Sequence, residues 1–141
     1  MAVKQVTVFI ANKEGRIEKV TQVLKDNDIN ITSLSLAESE DFGLLRLIVS
    51  DAERAKNVLK EAGLSAKTTD VIAVQISNEP GSLHDLLIAV KEYNIEYMYV
   101  LTAAESASMV MKIRDVEGAE KVLRDKGFVI LSEQEVNETV Y

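Results

Sequence analysis

The segment Asn78–Leu83, with the sequence NEPGSL, combines groups that could bind a small charged molecule. Glycine at Gly81 lets the main chain turn tightly and lets a ligand approach it closely. The first N–H groups of the helix that is predicted to follow have no intrahelical acceptor and, with the helix dipole, attract an anion. The amide of Asn78 can accept from an ammonium group or donate to a carboxylate. The segment therefore suits a zwitterionic amino acid, although Asn and Gly are also ordinary turn residues, and a purely structural turn is the alternative.

The chain contains a second version of this segment, 66 positions earlier. Asn12 matches Asn78 and Gly15 matches Gly81, while Glu14 stands where the later copy has the single proline of the chain, Pro80. Because proline fixes its own φ, the later loop is preorganised and the earlier one is not. The two loops are therefore expected to bind a ligand unequally.

The elements around each loop repeat as well. An alternating apolar strand precedes the loop, and an amphipathic helical pattern, two further strands, a second helix and a last strand follow it. Aspartates at positions 51 and 115 are predicted N-caps, and glycines at positions 63 and 127 are predicted C-terminal caps. "LSAKTT" and "FVILSEQEV" are predicted to close the two copies as fourth strands.

The order β-α-β-β-α-β, found twice, predicts an α+β fold of two ferredoxin-like units side by side, residues 1–69 and 70–141. Right-handed crossovers place the helices of each antiparallel sheet on one face. The sheet order 4-1-3-2 leaves the second strand of each copy at an edge. We expect these two edges to pair with each other, which would protect them from aggregation.

The composition excludes several classes of function. The chain has 141 residues, a net charge of −7 and no cysteine. This acidity argues against nucleic acid or an anionic membrane as a partner, because both attract Lys and Arg. A single histidine without cysteine argues against a transition-metal site. The chain also shows no secretion signal or long apolar run, so a cytosolic location is expected.

The stretch "VIAVQISNEPGSLHDLLIAVKEYNIEYMYV" resembles the signature of ACT domains, small regulatory modules that bind amino acids. "VTVFIANKEGRIEKVTQVLKDNDINITSLSL" repeats that signature less closely, and the resemblance covers essentially the whole chain. It implies a ligand held at the interface between modules, by the loop after the first strand of one module and the start of the second strand of its neighbour. Asn30 would then face the Asn78 loop, and Glu96, which favours an ammonium group or a basic side chain, would face the Asn12 loop. The ligand-binding residues that follow are Asn12, Gly15, Arg16, Ile17, Asn30, Ile31, Asn78, Pro80, Gly81, Ser82, Leu83, Glu96 and Tyr97.

The sequence thus predicts a regulatory protein that senses a free amino acid and needs no cofactor. Its output would pass through a homo-oligomer, such as a dimer, or an enzyme of amino-acid metabolism. The alternative is a structural or interaction subunit that pairs with a metabolic enzyme and has no ligand. An enzymatic role is not expected, since no Ser/His/Asp or Cys/His set is present.

Overall fold

The computed structural model describes residues 3–11, 16–38, 41–103 and 106–138. The chain divides into two compact units. The first unit is Lys4–Thr69, and the second begins at Asp70 and includes Val3 from the start of the chain. Each unit contains an antiparallel sheet whose core lies against two helices, so the α+β fold class predicted from the sequence is confirmed.

The first unit follows the predicted order. Its elements are β1 (Val3–Ala11), α1 (Arg16–Asp26), β2 (Ile31–Glu38), β3 (Phe42–Val49), α2 (Ala52–Glu61) and the first part of β4 (Ser65–Ser77). The strands are arranged β2-β3-β1-β4. Val6, Val8 and Ile10 of β1 are buried with the apolar sides of both helices in one cluster, so the two helices cover the same face of the sheet. That cluster includes Val8, Leu24, Leu47 and Leu59.

The second unit repeats the arrangement with the remainder of β4 as its first strand. Its other elements are α3 (Ser82–Ala89), β5 (Ile95–Ala103), β6 (Ser106–Ile113), α4 (Val116–Asp125), β7 (Val129–Leu131) and α5 (Glu133–Glu138). The strands follow β7-β4-β6-β5. Val74, Leu86, Met111 and Leu123 lie in its core. Both units therefore have the predicted order 4-1-3-2.

Three predicted features of the elements are corrected. "LSAKTT" and "VIAVQI" were expected as separate strands, but they form one continuous strand, β4. "FVILSEQEV" was expected to be a strand throughout, but only Val129–Leu131 pairs with β4, and α5 follows. Within the described residues β2 is paired with β3 and β5 with β6, so the expected pairing of the two second strands is wrong for a single chain.

The capping signals explain the helix starts. Asp51 accepts a hydrogen bond from the N–H of Arg54, and Asp115 accepts one from Gly118. At α5 the N–H of Ser132 donates to the Glu135 carboxylate (3.1 Å) and the N–H of Glu135 donates to the Ser132 hydroxyl (3.2 Å). This reciprocal pair is a capping box, and its Ser-x-x-Glu signal was present in "SEQE".

Three helices end with the same hydrogen bonds. At α2, Leu64 donates to the Leu59 carbonyl and Gly63 to that of Lys60. α4 ends in the same way with Gly127, and α1 with Asp28. Gly63, Gly127 and Asp28 all have a left-handed conformation. This is the Schellman motif, in which the left-handed position normally holds glycine. None of the helices in the described ranges has the length and apolar character needed to cross a bilayer.

Candidate functional site

The loop between β4 and α3 forms a tight turn of a defined type. The N–H of Ser82 donates to the carbonyl of Glu79 (3.2 Å), with Pro80 second and Gly81 third in the turn. Gly81 has φ 90° and ψ −13°, which is the geometry of the third residue in a type II turn. Pro80 fixes its own φ near the value that the second residue of this turn needs, and only glycine takes the φ of the third residue without strain.

A side-chain contact ties this turn to the strand. The hydroxyl groups of Ser77, at the end of β4, and Ser82, at the start of α3, lie 2.6 Å apart and are hydrogen-bonded. Asn78, Pro80 and Gly81 are exposed. A Cβ built on Gly81 would meet no atom within 4 Å, so the main chain is open on that side. The turn is therefore held in place while its surface stays accessible.

The turn alters one expected role. The N–H of Ser82 was expected to face a ligand carboxylate, but it is already used inside the turn. The first helical bond of α3 runs from the N–H of Asp85 to the carbonyl of Gly81. Of the four N–H groups at the helix start that have no intrahelical acceptor, that of Ser82 is used in the turn, which leaves those of Gly81, Leu83 and His84. Leu83 itself has a side chain that is 44% exposed.

The earlier loop is only partly described. Asn12 and Gly15 lie outside the described residues. Arg16 and Ile17 form the start of α1 and are half-buried, and Ile17 packs against the core of the first unit. The counterparts of Ser77 and Ser82 in this copy are Ala11 and Arg16, so the hydroxyl contact has no equivalent there.

The start of β2 borders a cavity within the first unit. The cavity has a volume of about 380 Å³, and Asn30 and Ile31 line it, as do Lys25 and Asp28 from the end of α1. Two hydrogen bonds to Ser50 fix the main chain of Asn30. The N–H of Asn30 donates to the Ser50 hydroxyl (3.0 Å), and the N–H of Ser50 donates to the Asn30 carbonyl (3.0 Å). The Asn30 residue is exposed, so its amide projects from a fixed main chain.

The start of β5 differs from that of β2. Glu96 forms an ion pair with Lys112 on the neighbouring strand (3.5 Å). The Glu96 carboxylate therefore has a basic partner within the fold, and its expected role towards a ligand ammonium or basic side chain stays a prediction. Tyr97 is half-buried, and its ring stacks near that of Tyr99, with centroids 6.5 Å apart.

The predicted residues within one unit do not all meet. β4 and β5 both run antiparallel to β6, and the end of β4 is level with Ser106 whereas Tyr97 is level with Lys112. The turn after β4 and the start of β5 are therefore about 20 Å apart along the sheet, at roughly 3.3 Å per residue. A site that uses both kinds of segment needs two modules, and the facing of Asn78 and Asn30 stays a prediction.

A smaller cavity of about 250 Å³ includes none of the predicted residues. Its walls are Thr7, Phe9, Leu44, Ser65, Ala66 and Lys67. Thr7 and Phe9 alternate with the core residues Val8 and Ile10, so the cavity lies on the face of the sheet that the helices do not cover. In the described part of the chain, no group of three or more His, Cys, Asp or Glu residues could hold a metal ion.

Comparison with known families decides the identity of the fold. The family described as the ACT domain pair matches residues 1–140. The chain belongs to the ACT domain pair family. This confirms the resemblance that the two loop-containing stretches suggested. No curated protein matches the chain.

Solved structures agree with this family. Protein BT0572 from Bacteroides thetaiotaomicron is 34% identical, with a TM-score of 0.93, and the match covers 99% of this chain and 98% of that one. The ligand-free regulatory subunit of aspartate kinase from Thermus thermophilus is 20% identical, with a TM-score of 0.66 and coverage of 90% and 94%. E. coli aspartokinase III in complex with lysine and aspartate is 13% identical, with a TM-score of 0.55, and the match covers 89% of this chain and 31% of that one. At these lower identities the likeness concerns the fold of the ACT pair.

Proposed function

We propose that this ACT domain pair is a regulatory protein that binds a free amino acid and passes the bound state to a partner. The family supports this role, and so does the likeness in fold to regulatory subunits of aspartate kinase. We assign the chain no reaction of its own. A cytosolic location stays a prediction from the sequence.

The observation that carries the proposal is the accessible turn between β4 and α3. Three features fix the turn: the hydrogen bond from Ser82 to Glu79, the left-handed Gly81, and the contact between the hydroxyls of Ser77 and Ser82. The turn nevertheless presents its main chain to solvent. A binding site of this kind loses little entropy when the ligand arrives, because the loop is already ordered.

The proposed contacts use N–H donors at the start of α3 and the amide of Asn78 in the turn. The ligand carboxylate would accept hydrogen bonds from the N–H groups of Leu83 and His84, where the helix dipole favours a negative charge. The Asn78 amide would bind the ammonium group through its oxygen. Asn30, whose main chain Ser50 fixes, would close the site from a second module.

The test is a thermal-shift screen with the twenty standard amino acids, followed by calorimetry on variants. A binding amino acid raises the melting temperature because it binds only the folded chain. Asn78→Ala removes one or two hydrogen bonds to a charged ligand, about 1.5–3 kcal/mol each, so the affinity falls roughly tenfold or more. Asn57→Ala, an exposed asparagine on α2, is the control and leaves the affinity unchanged.

Gly81 needs a more careful variant. A branched residue there would be strained whether or not a ligand binds, since the φ is 90°. Gly81→Ala is therefore compared with Gly127→Ala, which has a φ of 88° and equally open space around its Cβ. Both variants lose similar stability, and only Gly81→Ala weakens binding. If the unaltered chain, Asn78→Ala and both glycine variants all bind with the same affinity, the segment is only a structural turn.

A second candidate function is an interaction subunit, and the edge strands favour it. β2 is an edge strand with Leu34 and Leu36 exposed by 55% and 47%. Its sequence, ITSLSLAE, contains no Lys or Pro and has one charge, at its end. Natural edge strands that stay unpaired usually carry Lys, Pro or several charges, which prevent pairing with another strand. We propose that this edge pairs with a second copy of the chain or with an enzyme of amino-acid metabolism.

Sedimentation decides between these partners. A homodimer that Leu34→Lys converts to a monomer supports self-pairing through β2. A monomer at all concentrations excludes it and leaves the enzyme as the partner. If the chain forms an oligomer without any amino acid and no amino acid raises its melting temperature, the interaction subunit is favoured over the sensor.

A further inference from the structure

The cavity of about 250 Å³ on the uncovered face of the first sheet has a wall of mixed character. Its lining residues come from three adjacent strands, β3, β1 and β4. Phe9 and Leu44 are cross-strand neighbours and form the apolar part. Ser65 and Lys67, which alternate along β4 with the core residue Ala66, form the polar part. The cavity therefore combines an apolar surface with an ammonium group and a hydroxyl group.

The apolar part of the wall is aromatic and accessible. The ring of Phe9 stacks on that of Phe42, with the centroids 4.6 Å apart and an angle of 23° between the ring planes. Phe9 is nevertheless 46% exposed. Binding sites for small molecules are typically lined by apolar and aromatic side chains with a few polar groups. Because the stack holds the Phe9 ring in place, a ligand ring can pack against it with little loss of side-chain entropy.

The polar part of the wall has donors that the fold does not use. Neither the Lys67 ammonium nor the Ser65 hydroxyl has an ion-pair or hydrogen-bond partner among the described residues. The Thr7 hydroxyl, in contrast, accepts a hydrogen bond from the Gln5 amide (3.0 Å) and lies 3.4 Å from the Thr69 hydroxyl. Thr7 is thus a fixed part of the wall, and Lys67 and Ser65 are the donors that a ligand can use.

The charges around the cavity select the sign of the ligand. The described strand residues of the first unit that lie on this face include two cations, Lys67 and Arg46, and no Asp or Glu. Arg46 is the cross-strand neighbour of Thr7. The whole chain has a net charge of −7, so this positive character is local. It attracts a carboxylate, whereas an ammonium group would find no carboxylate here to bind.

We propose that this cavity binds an aromatic carboxylate that has no ammonium group. The ligand carboxylate accepts hydrogen bonds from the Lys67 ammonium and the Ser65 hydroxyl, and its ring packs against Phe9 and Leu44. A cavity of roughly 150 Å³ holds benzene, so about 250 Å³ suffices for one ring with a short acidic chain. The site and the ligand class both differ from those of the proposed function.

The second copy provides an internal comparison. Its strands β4 and β6 pair in the same register as β1 and β3, so the corresponding positions are known. The counterparts of Phe9, Leu44, Ser65 and Lys67 are, in the same order, Gln75, Ser108, Val129 and Leu131. These four residues include neither an aromatic ring nor a cation. The proposed site therefore belongs to the first unit alone.

The experiment is a titration of the full chain, labelled for amide NMR, with four matched compounds. Phenylpropionate has the ring and the carboxylate, phenylpropanol lacks the charge, propionate lacks the ring, and phenylalanine adds an α-ammonium group. Phenylpropionate should shift the amides of residues 7–9, 44 and 65–67. The other three compounds should bind at these residues at least about tenfold more weakly, because each loses a contact or adds a charge without a partner.

Variants assign the contacts. Lys67→Gln should weaken phenylpropionate binding at least about tenfold, since it removes a hydrogen bond between charged groups, and Lys67→Arg should keep most of the affinity. Lys60→Gln, at an exposed lysine on α2 of the same unit, is the matched control and leaves the affinity unchanged. Phe9→Leu keeps an apolar side chain without the ring and should weaken binding by about two- to tenfold.

Three outcomes overturn the inference. They are a titration in which phenylpropionate shifts none of the lining amides, equal affinities for phenylpropionate and phenylpropanol, and unchanged affinity in Lys67→Gln. Each of them leaves the proposed function standing, because that function is tested with amino acids and with Asn78→Ala. A thermal-shift screen in which no amino acid binds would remove the proposed function and leave the expected binding of phenylpropionate unchanged.

Discussion

The two copies of the repeat keep the same core positions apolar, and they differ at their loops. Leu59 and Leu123, on the second helix of each copy, are both fully buried, as are Ala55 and Ala119. The turn after β4 is tied by the hydroxyls of Ser77 and Ser82, whereas the other copy has alanine and arginine at these positions. Close packing keeps buried positions apolar and limits their volume, although the residue type can change, as from Leu47 to Met111. The loops are free of that constraint, so the copies could diverge there in chemistry without changing the fold.

The largest effects on stability are expected in the cores, where matching substitutions in the two copies should lower the free energy of unfolding by similar amounts. Leu59→Ala and Leu123→Ala each remove a fully buried side chain and should each lower the free energy of unfolding by about 2–5 kcal/mol. Urea denaturation of the full chain measures both. Leu83→Ala, at an exposed leucine, is the control and should cost far less. A difference of several kcal/mol between the two core variants would show that the copies are not equivalent in packing.

A smaller effect is expected where the second copy has an element that the first lacks. Ser132→Ala breaks the capping box of α5, a helix whose Val136 is fully buried. Loss of such a cap costs about 0.5–2 kcal/mol. The same denaturation curves report this loss, and Ser132→Asp, which keeps an N-cap acceptor, should restore most of it. Failure of aspartate to restore stability would mean that the cap is not what Ser132 contributes.

The contact that distinguishes the two turns should have a modest effect on stability. Ser82→Ala removes the hydrogen bond to Ser77 and should cost about 0.5–1.5 kcal/mol, towards the lower value because Ser77 is exposed. A double-mutant cycle with Ser77→Ala isolates the contact, since the two losses should not add. Additive losses would indicate that the two hydroxyls act separately.

The smallest effect concerns a surface charge in the first unit. A hydrogen bond and the positive charge from Lys56 lower the pKa of Glu53 below its ordinary value. A carboxyl with a lowered pKa in the folded state contributes stability above its unfolded pKa and loses it as the pH falls through the folded one. Glu53→Gln should therefore be slightly less stable than the unaltered chain at pH 7. The two melting temperatures should converge at acidic pH, below the lowered pKa of Glu53, and a difference that persists there would exclude the ion pair as its cause.

Much of the fold was predictable because its signals are local. The alternation of Ile72, Val74 and Ile76 marks a strand, and Asp115 marks a helix start, whatever the rest of the chain does. α5 was missed because an apolar run, "FVIL", led directly into it. The Ser-x-x-Glu signal that could have corrected the assignment was overlooked.

The candidate site was less predictable, for a physical reason. Pro80 and Gly81 indicated a tight turn, but which N–H groups the turn consumes depends on its type, which the structure shows. The charge of Glu96 was visible in the sequence, whereas its partner Lys112 becomes a neighbour only through strand register.

The single strand β4 has a consequence for how the chain can be cut. Thr69 and Asp70, where one unit ends and the other begins, lie inside a strand of thirteen residues that pairs with β1 and β6. A protease needs several residues of loose chain, and this boundary offers none until hydrogen bonds on both sides are broken. Limited digestion should therefore begin elsewhere. The duplicated halves, although recognisable by eye in the sequence, should not be separable by an enzyme acting at their junction.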